Sequence, residues 1–226
     1  ISRRTVLEQA QSSYFTDRGR RRTQTMEQRI VDQGGARGAF LWSERDYAAS
    51  YVCVEPGLLA GHLEDFQALV SFARAEGIRL VVITSPSHQR SLELLRAAGL
   101  WPQVERFNRE LARITTGAGF ALWEFGVADS RTTAEEVPPP GDTGSRMRWY
   151  WESSHFTREL GDVVLARVLG KAGPEGLFDW GLPVERDTVE TTLGKVSDGL
   201  RAWGSAHPDE VEELRGDRGR ARRSKL

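Results

Sequence analysis

Apolar positions along this chain repeat with two different periods, and their alternation outlines an α/β domain. Leu58, Leu59, His62, Leu63, Phe66, Leu69, Val70 and Ala73 recur at helical spacing, and Gly77 stands where a C-cap glycine ends such a helix. His62 lies on this apolar stripe, which makes it a packed helix residue rather than a ligand. Residues 78–84 form a near-continuous apolar run through Leu80, Val81, Val82 and Ile83, the pattern of a buried parallel strand. Ser85-Pro86-Ser87-His88 breaks that run, and residues 89–98 return to helical spacing before Gly99. Pro102 opens another helix, with Val104, Phe107, Leu111 and Ile114 on one face, ending near Gly117 and Gly119. Residues 120–125 make a second strand. Helix, strand, helix, helix, strand predicts a parallel sheet with right-handed crossovers.

The flanks are less regular. Residues 5–15 read as a short helix with Val6, Leu7, Ala10 and Tyr14 on one side, and residues 16–25 as a charged, solvated connector. The glycines at 34, 35 and 38 mark a flexible stretch too irregular for a phosphate-binding loop. Residues 126–148 form a long loop around Pro138-Pro139-Pro140-Gly141, and loops of that length often serve as lids or substrate loops. A helix over residues 157–169 follows, with Thr157 as N-cap and Leu160, Val163, Val164 and Val168 facing the core. The predicted organisation is a helical and irregular segment over 1–55, an α/β domain over 56–186, one or two helices over 187–214, and a disordered basic tail over 215–226.

Composition narrows the function classes. With 39% hydrophobic residues, seven Trp and nine Phe, the 226-residue chain can fill a sizeable core. A formal charge of -1 argues against attraction of the whole domain to nucleic acid or to an anionic membrane. The single cysteine, Cys53, excludes an intrachain disulfide and a cysteine-cluster zinc site. The histidines at 62, 88, 155 and 207 are scattered without a His-x-x-x-His pair, so no metal site is expected. No apolar run approaches the roughly 20 residues of a membrane span. The chain opens with Ile1 rather than Met, which reads as a piece or processed form of something longer.

The chemistry concentrates in Trp149-Tyr150-Trp151-Glu152-Ser153-Ser154-His155-Phe156-Thr157. Contiguous aromatics split between two faces when extended, so at least one of the three rings belongs to the core. His155 falls in the turn that feeds a helix N-terminus, whose positive dipole end favours a neutral imidazole. Glu152, one turn earlier, is within reach of the ring nitrogen that faces away from a substrate, the task of the acid in a nucleophile–histidine–acid triad. The same spacing also suits a carboxylate that merely satisfies a turn. In open α/β sheets ligands bind at the carboxyl ends of strands. There the 85–88 loop, the 126–148 loop and the Glu152–His155 turn are expected to converge, bringing His88 close to His155.

The Glu-Ser-Ser-His-Phe turn resembles the last sequence block of the SGNH (GDSL-like) hydrolases, in which an Asp-x-x-His turn precedes the C-terminal helix. The longer run from Arg148 through Phe156, continuing through Glu159-Leu160-Gly161-Asp162, is similar to a group of bacterial membrane-anchored proteins. Those carry an SGNH-like domain distantly related to polysaccharide O-acetyltransferases. Leu122-Trp123-Glu124-Phe125, Thr132-Thr133 and Val137-Pro138 fit the same group, and the likeness spans roughly residues 40–170. Three departures stand out: the acid is Glu152 rather than Asp, and both the Gly-Asp-Ser nucleophile block and the Gly-x-Asn-Asp block are missing.

The resemblance implies a three-layer α/β fold, a parallel sheet flanked by helices, truncated before its first strand. It implies an acyl-ester hydrolase or O-acyltransferase acting on an extracytoplasmic glycan or similar ester, with a membrane anchor and the serine block lying upstream. His155 and Glu152 would be catalytic. His88 and Ser87 would line the oxyanion side, about where the family places its Asn. No cofactor is implied. The alternative is a non-catalytic binding or scaffold module on the same fold.

Overall fold

A computed structural model describes residues 26–51, 58–171, 177 and 179–223. The helix read over 5–15 and the connector over 16–25 lie outside these residues. The elements run α1 (Met26–Asp32), α2 (Gly35–Tyr51), α3 (Leu58–Ala75), β1 (Val81–Ile83), α4 (Gln89–Ala97), α5 (Trp101–Gly117) and β2 (Ala121–Glu124). They continue through α6 (Arg158–Val168), β3 (Leu182–Val184), α7 (Val189–Ala206) and α8 (Pro208–Arg223). The fold is mixed α/β.

The two strands legible in the sequence pair in parallel, Val82 opposite Leu122 and Ile83 opposite Trp123. The sheet is nevertheless mixed rather than wholly parallel, because β3 joins the other edge of β2 antiparallel, with Pro183 opposite Trp123. Proline cannot donate to a ladder, so it breaks the strand pattern in the sequence and confines β3 to an edge. Gly181 enters β3 at φ 84, and a Cβ there would meet the Phe125 ring at 2.2 Å, so only glycine fits the approach. The sheet order β1-β2-β3 also makes β1 an edge strand. Its expected burial is therefore corrected: Ile78 is 46% exposed and Ile83 38%.

The α3 stripe is partnered on one side only. Val70 and Ala73 are buried, whereas His62 and Leu69, read as packed, are exposed, as is Phe72. Periodicity identifies an apolar stripe but does not say how much of it finds a neighbour. Of the residues read as a disordered tail, those as far as Arg223 are described as the end of α8.

The main core gathers Phe40 from α2, Phe125 after β2, Met147, Trp149 and Tyr150 from the loop, and Leu160, Val163 and Val164 from α6. A second cluster joins Ala48, Leu94 and Leu214, with Tyr47 and Tyr51 packed against it. Between α2, α4 and α8 lies a buried ion network. Arg90 donates from Nε to Glu44 Oε1 at 2.8 Å and from Nη2 to Glu44 Oε2 at 2.6 Å, and both side chains are 0% exposed. The Arg90 Nη1 faces Glu210 and Glu213, which Arg37 pairs from the outer side. Burial works against the Arg90 charge, but Glu44 and Glu213 more than offset it and hold its pKa above the ordinary value.

The 126–148 loop, read as a lid or substrate loop, is tied to the fold along its first half. Thr132 and Thr133 are fully buried, the Thr133 carbonyl accepts from the Gln89 N–H at 2.8 Å, and Arg37 Nε donates to the Pro138 carbonyl at 2.8 Å. No helix among the described residues is long and apolar enough to cross a membrane.

Candidate functional site

Residues 149–157 form a narrow turn closed by its own backbone. Tyr150 and Phe156 make an antiparallel bridge, Trp151 N–H donates to the His155 carbonyl at 2.9 Å, and Thr157 N–H donates to Trp149 at 2.8 Å. Trp149 and Tyr150 are buried, and the Tyr150 hydroxyl donates to the Pro86 carbonyl at 2.8 Å, tying the turn to the loop after β1. Thr157 does not cap α6 with its side chain; its hydroxyl donates to the Arg148 carbonyl at 3.0 Å.

Glu152 and His155 occupy the tip. The carboxylate accepts the His155 N–H at 2.7 Å and the Ser154 N–H at 3.2 Å, so it organises the turn. The same Oε1 meets His155 Nδ1. A carboxylate only accepts, so in the neutral imidazole Nδ1 carries the proton and Nε2 keeps its lone pair. The His155 side chain is 72% exposed and that of Glu152 only 12%, so the acid is sheltered and the base faces outward. Among the described residues, no side chain hydrogen-bonds Nε2.

The Ser87 and His88 expectation is corrected in part. The loops do converge, since the His88 N–H donates to the Ser153 carbonyl at 3.0 Å, two residues from His155. The His88 ring, however, turns into the core and is 1% exposed, edge-on to Phe40 and Tyr150 with centroids 5.1 and 5.2 Å away. Its Nδ1 accepts from the Arg90 N–H at 3.2 Å as the N-cap of α4, and Nε2 donates to the Glu135 carbonyl at 2.8 Å. Burial drives its pKa down to about 3, against the Glu135 carbonyl and with help from the Arg90 and His207 charges. Neither ring nitrogen is left for a substrate. Ser87 is half-buried, its N–H turned back on Ser85.

Two groups escaped the sequence reading. Tyr47, on α2, reaches the tip with its hydroxyl 2.7 Å from Ser154 Oγ and 3.5 Å from Glu152 Oε2. Burial, assisted by the Glu152 charge, raises the Tyr47 pKa, and burial pushes that of neighbouring Tyr51 up to about 12. A tyrosine 105 residues from its partner leaves no local signal. Glu124 ends β2 almost fully buried, Oε1 accepting from Thr84 Oγ1 at 2.7 Å and from Gly126 N–H at 2.6 Å. Burial raises its pKa despite those donors. A carboxylate at the carboxyl end of a strand was the available signal.

Ser153 is fully buried with its hydroxyl unpartnered, and Ser154 is engaged by Glu152 and Tyr47. No group of three or more His, Cys, Asp or Glu side chains is arranged for a metal among the described residues. The chain matches no protein-family model, no curated protein and no solved structure.

Proposed function

We propose that the chain carries the histidine and acid of an SGNH-like acyl-ester hydrolase or O-acyltransferase acting on an extracytoplasmic glycan or similar ester. The observation that carries this reading is the solvent-facing Nε2 of an imidazole whose Nδ1 is held by a sheltered carboxylate. In this scheme a serine hydroxyl adds to an acyl carbonyl while His155 Nε2 takes its proton. The resulting imidazolium returns the proton to the leaving alcohol, and Glu152 fixes the tautomer and stabilises the transient charge. Water or an acceptor alcohol then repeats the cycle on the acyl-enzyme. His88 supplies no oxyanion donor in this scheme, because it spends both ring nitrogens inside the fold.

Ser87, Ser153 and Ser154 do not supply the nucleophile in this scheme, since none bonds Nε2. The parallel pair β1–β2, with α4 and α5 between, is compatible with a three-layer SGNH-like sheet extended beyond β1. A non-catalytic binding or scaffold module is the second reading, favoured by the inward-turned His88.

Hydrolysis of small acetyl esters tests the proposal. The 226-residue chain alone is expected to show little or no activity, because a triad without its nucleophile loses most of its rate. A longer form supplying a serine in a strand-to-helix turn is expected to be active, and His155→Ala to abolish that activity. An inert longer form leaves the binding module. Robust hydrolysis by the 226-residue chain, lost in Ser87→Ala, overturns the assignment of the nucleophile.

A further inference from the structure

We infer that Tyr47 is a positioning residue that selects the tautomer of His155 by occupying the hydroxyl of Ser154. The inference rests on reading His155 as a proton acceptor through Nε2. Ser154 Oγ lies 3.0 Å from Glu152 Oε1, 3.2 Å from His155 Nδ1 and 2.7 Å from the Tyr47 hydroxyl. A serine hydroxyl has one proton, so it donates to only one of the three. Donation to Glu152 leaves Nδ1–H free to point at the same carboxylate, and Nε2 is then a base. Donation to Nδ1 requires a lone pair there, which moves the imidazole proton to Nε2 and removes the base.

Tyr47 separates these two arrangements. Its hydroxyl lies 2.7 Å from Ser154 Oγ and 3.5 Å from Glu152 Oε2, so when Ser154 turns its own proton toward Glu152 the Tyr47 proton goes to the nearer oxygen, that of Ser154. Donation into Ser154 Oγ fills an acceptor position on that oxygen and aligns its proton with Glu152. Tyr47 is held for this task by packing rather than by charge: its ring stacks on Tyr51 at 6.4 Å and lies against the Leu94 and Leu214 cluster. Helix α2 thus reports directly on the chemistry of a turn more than a hundred residues later.

The test is ¹⁵N NMR of the histidine-labelled 226-residue chain in alkaline buffer, where imidazoles are neutral and the two tautomers give distinct nitrogen shifts. Wild-type His155 is expected as the Nδ1–H form. Tyr47→Phe keeps the ring and the packing but frees Ser154, and a mixture with the Nε2–H form is expected. Tyr47→Phe combined with Ser154→Ala removes the competing donor, and the Nδ1–H form is expected to return. A packing defect would not be repaired by that second change. A Tyr47→Phe spectrum identical to wild type overturns the inference, as does a double variant that stays mixed. Because no substrate is involved, a tautomer response in a protein with no ester chemistry in any form sinks the proposed activity and leaves the role of Tyr47 intact.

Discussion

The N-terminus of α4 and the tip of the 149–157 turn each hold a histidine and an ion-paired carboxylate, yet they are opposite in kind. At α4, His88 spends both nitrogens on Arg90 N–H and the Glu135 carbonyl, while Glu44 and Arg90 close a bidentate pair with no exposed atoms. At the tip, Glu152 is sheltered, but the far nitrogen of His155 faces solvent with no partner among the described residues. Buried groups held in the way of His88 and the Arg90–Glu44 pair fix one arrangement of the chain. A group left one bond short, in contact with water, is available for chemistry. The two regions touch through the His88 N–H to Ser153 bond, so the rigid one serves as the base of the reactive one.

The largest way to break this contrast is at Arg90. Arg90→Leu takes its bidentate partner from the buried Glu44 carboxylate, and the expected loss of unfolding free energy is about 3–5 kcal/mol by urea titration. Arg90→Leu with Glu44→Leu removes both buried charges, while Glu210 and Glu213 keep Arg37 and water. That double variant is expected to recover most of the loss. A single variant within about 1 kcal/mol of wild type would mean the network is not the clamp described.

His88 offers a second, pH-dependent test. Its folded pKa of about 3 lies below the ordinary value of 6.5, so the native state holds it neutral while the unfolded chain protonates. Between those values the unfolded state binds the extra proton, and stability rises with pH across the window, complete only above it. From pH 7 to pH 5 the expected loss from this group is about 2 kcal/mol. Glu124 and Glu135, raised by burial, act in the opposite sense, so the difference between wild type and His88→Asn isolates the term. Asn keeps an N-cap acceptor but does not titrate, and its urea midpoint is expected to fall less over this range. Parallel pH profiles for the two proteins would place His88 in contact with water.

The contrast also explains what the sequence could tell. Glu152 and His155 were legible because three residues of spacing fix their proximity whatever the rest of the chain does. Helices α3 to α7 and the β1–β2 pair were legible because their apolar periods are local, whereas α2 was not, since Gly35 and Gly38, read as a flexible stretch, lie inside it. His88 was misread although its signal was present: a histidine immediately before Gln89 occupies the N-cap position, and a cap turned inward consumes the ring. Pro183 hid β3, and the free edge of β1 hid the exposure of Ile83, since the order of strands is not written in the period of any one of them. Glu44 with Arg90, 46 residues apart, and Tyr47 with Ser154, 107 apart, meet only after the helices dock.

The smallest effect is expected at the tip itself. Glu152→Gln keeps one acceptor for the turn N–H groups and loses the charge-assisted bonds, so a stability cost of about 1 kcal/mol is expected. Chemical access should separate the two histidines far more sharply than stability does. Diethyl pyrocarbonate acylates neutral imidazoles through an unprotonated ring nitrogen, which His155 presents as Nε2 in water. His88 is 1% exposed, and its acceptor nitrogen is covered by the Arg90 N–H. Peptide mass mapping of the native protein is therefore expected to find early modification at His155 and none at His88 until urea unfolds the chain. Glu152→Gln should slow the reaction at His155, since the amide no longer holds the proton on Nδ1 as firmly and the Nε2–H form begins to compete. If Glu152→Gln instead costs as much stability as Arg90→Leu, the tip is a structural element like the α4 clamp. The free nitrogen of His155 would then be incidental to it.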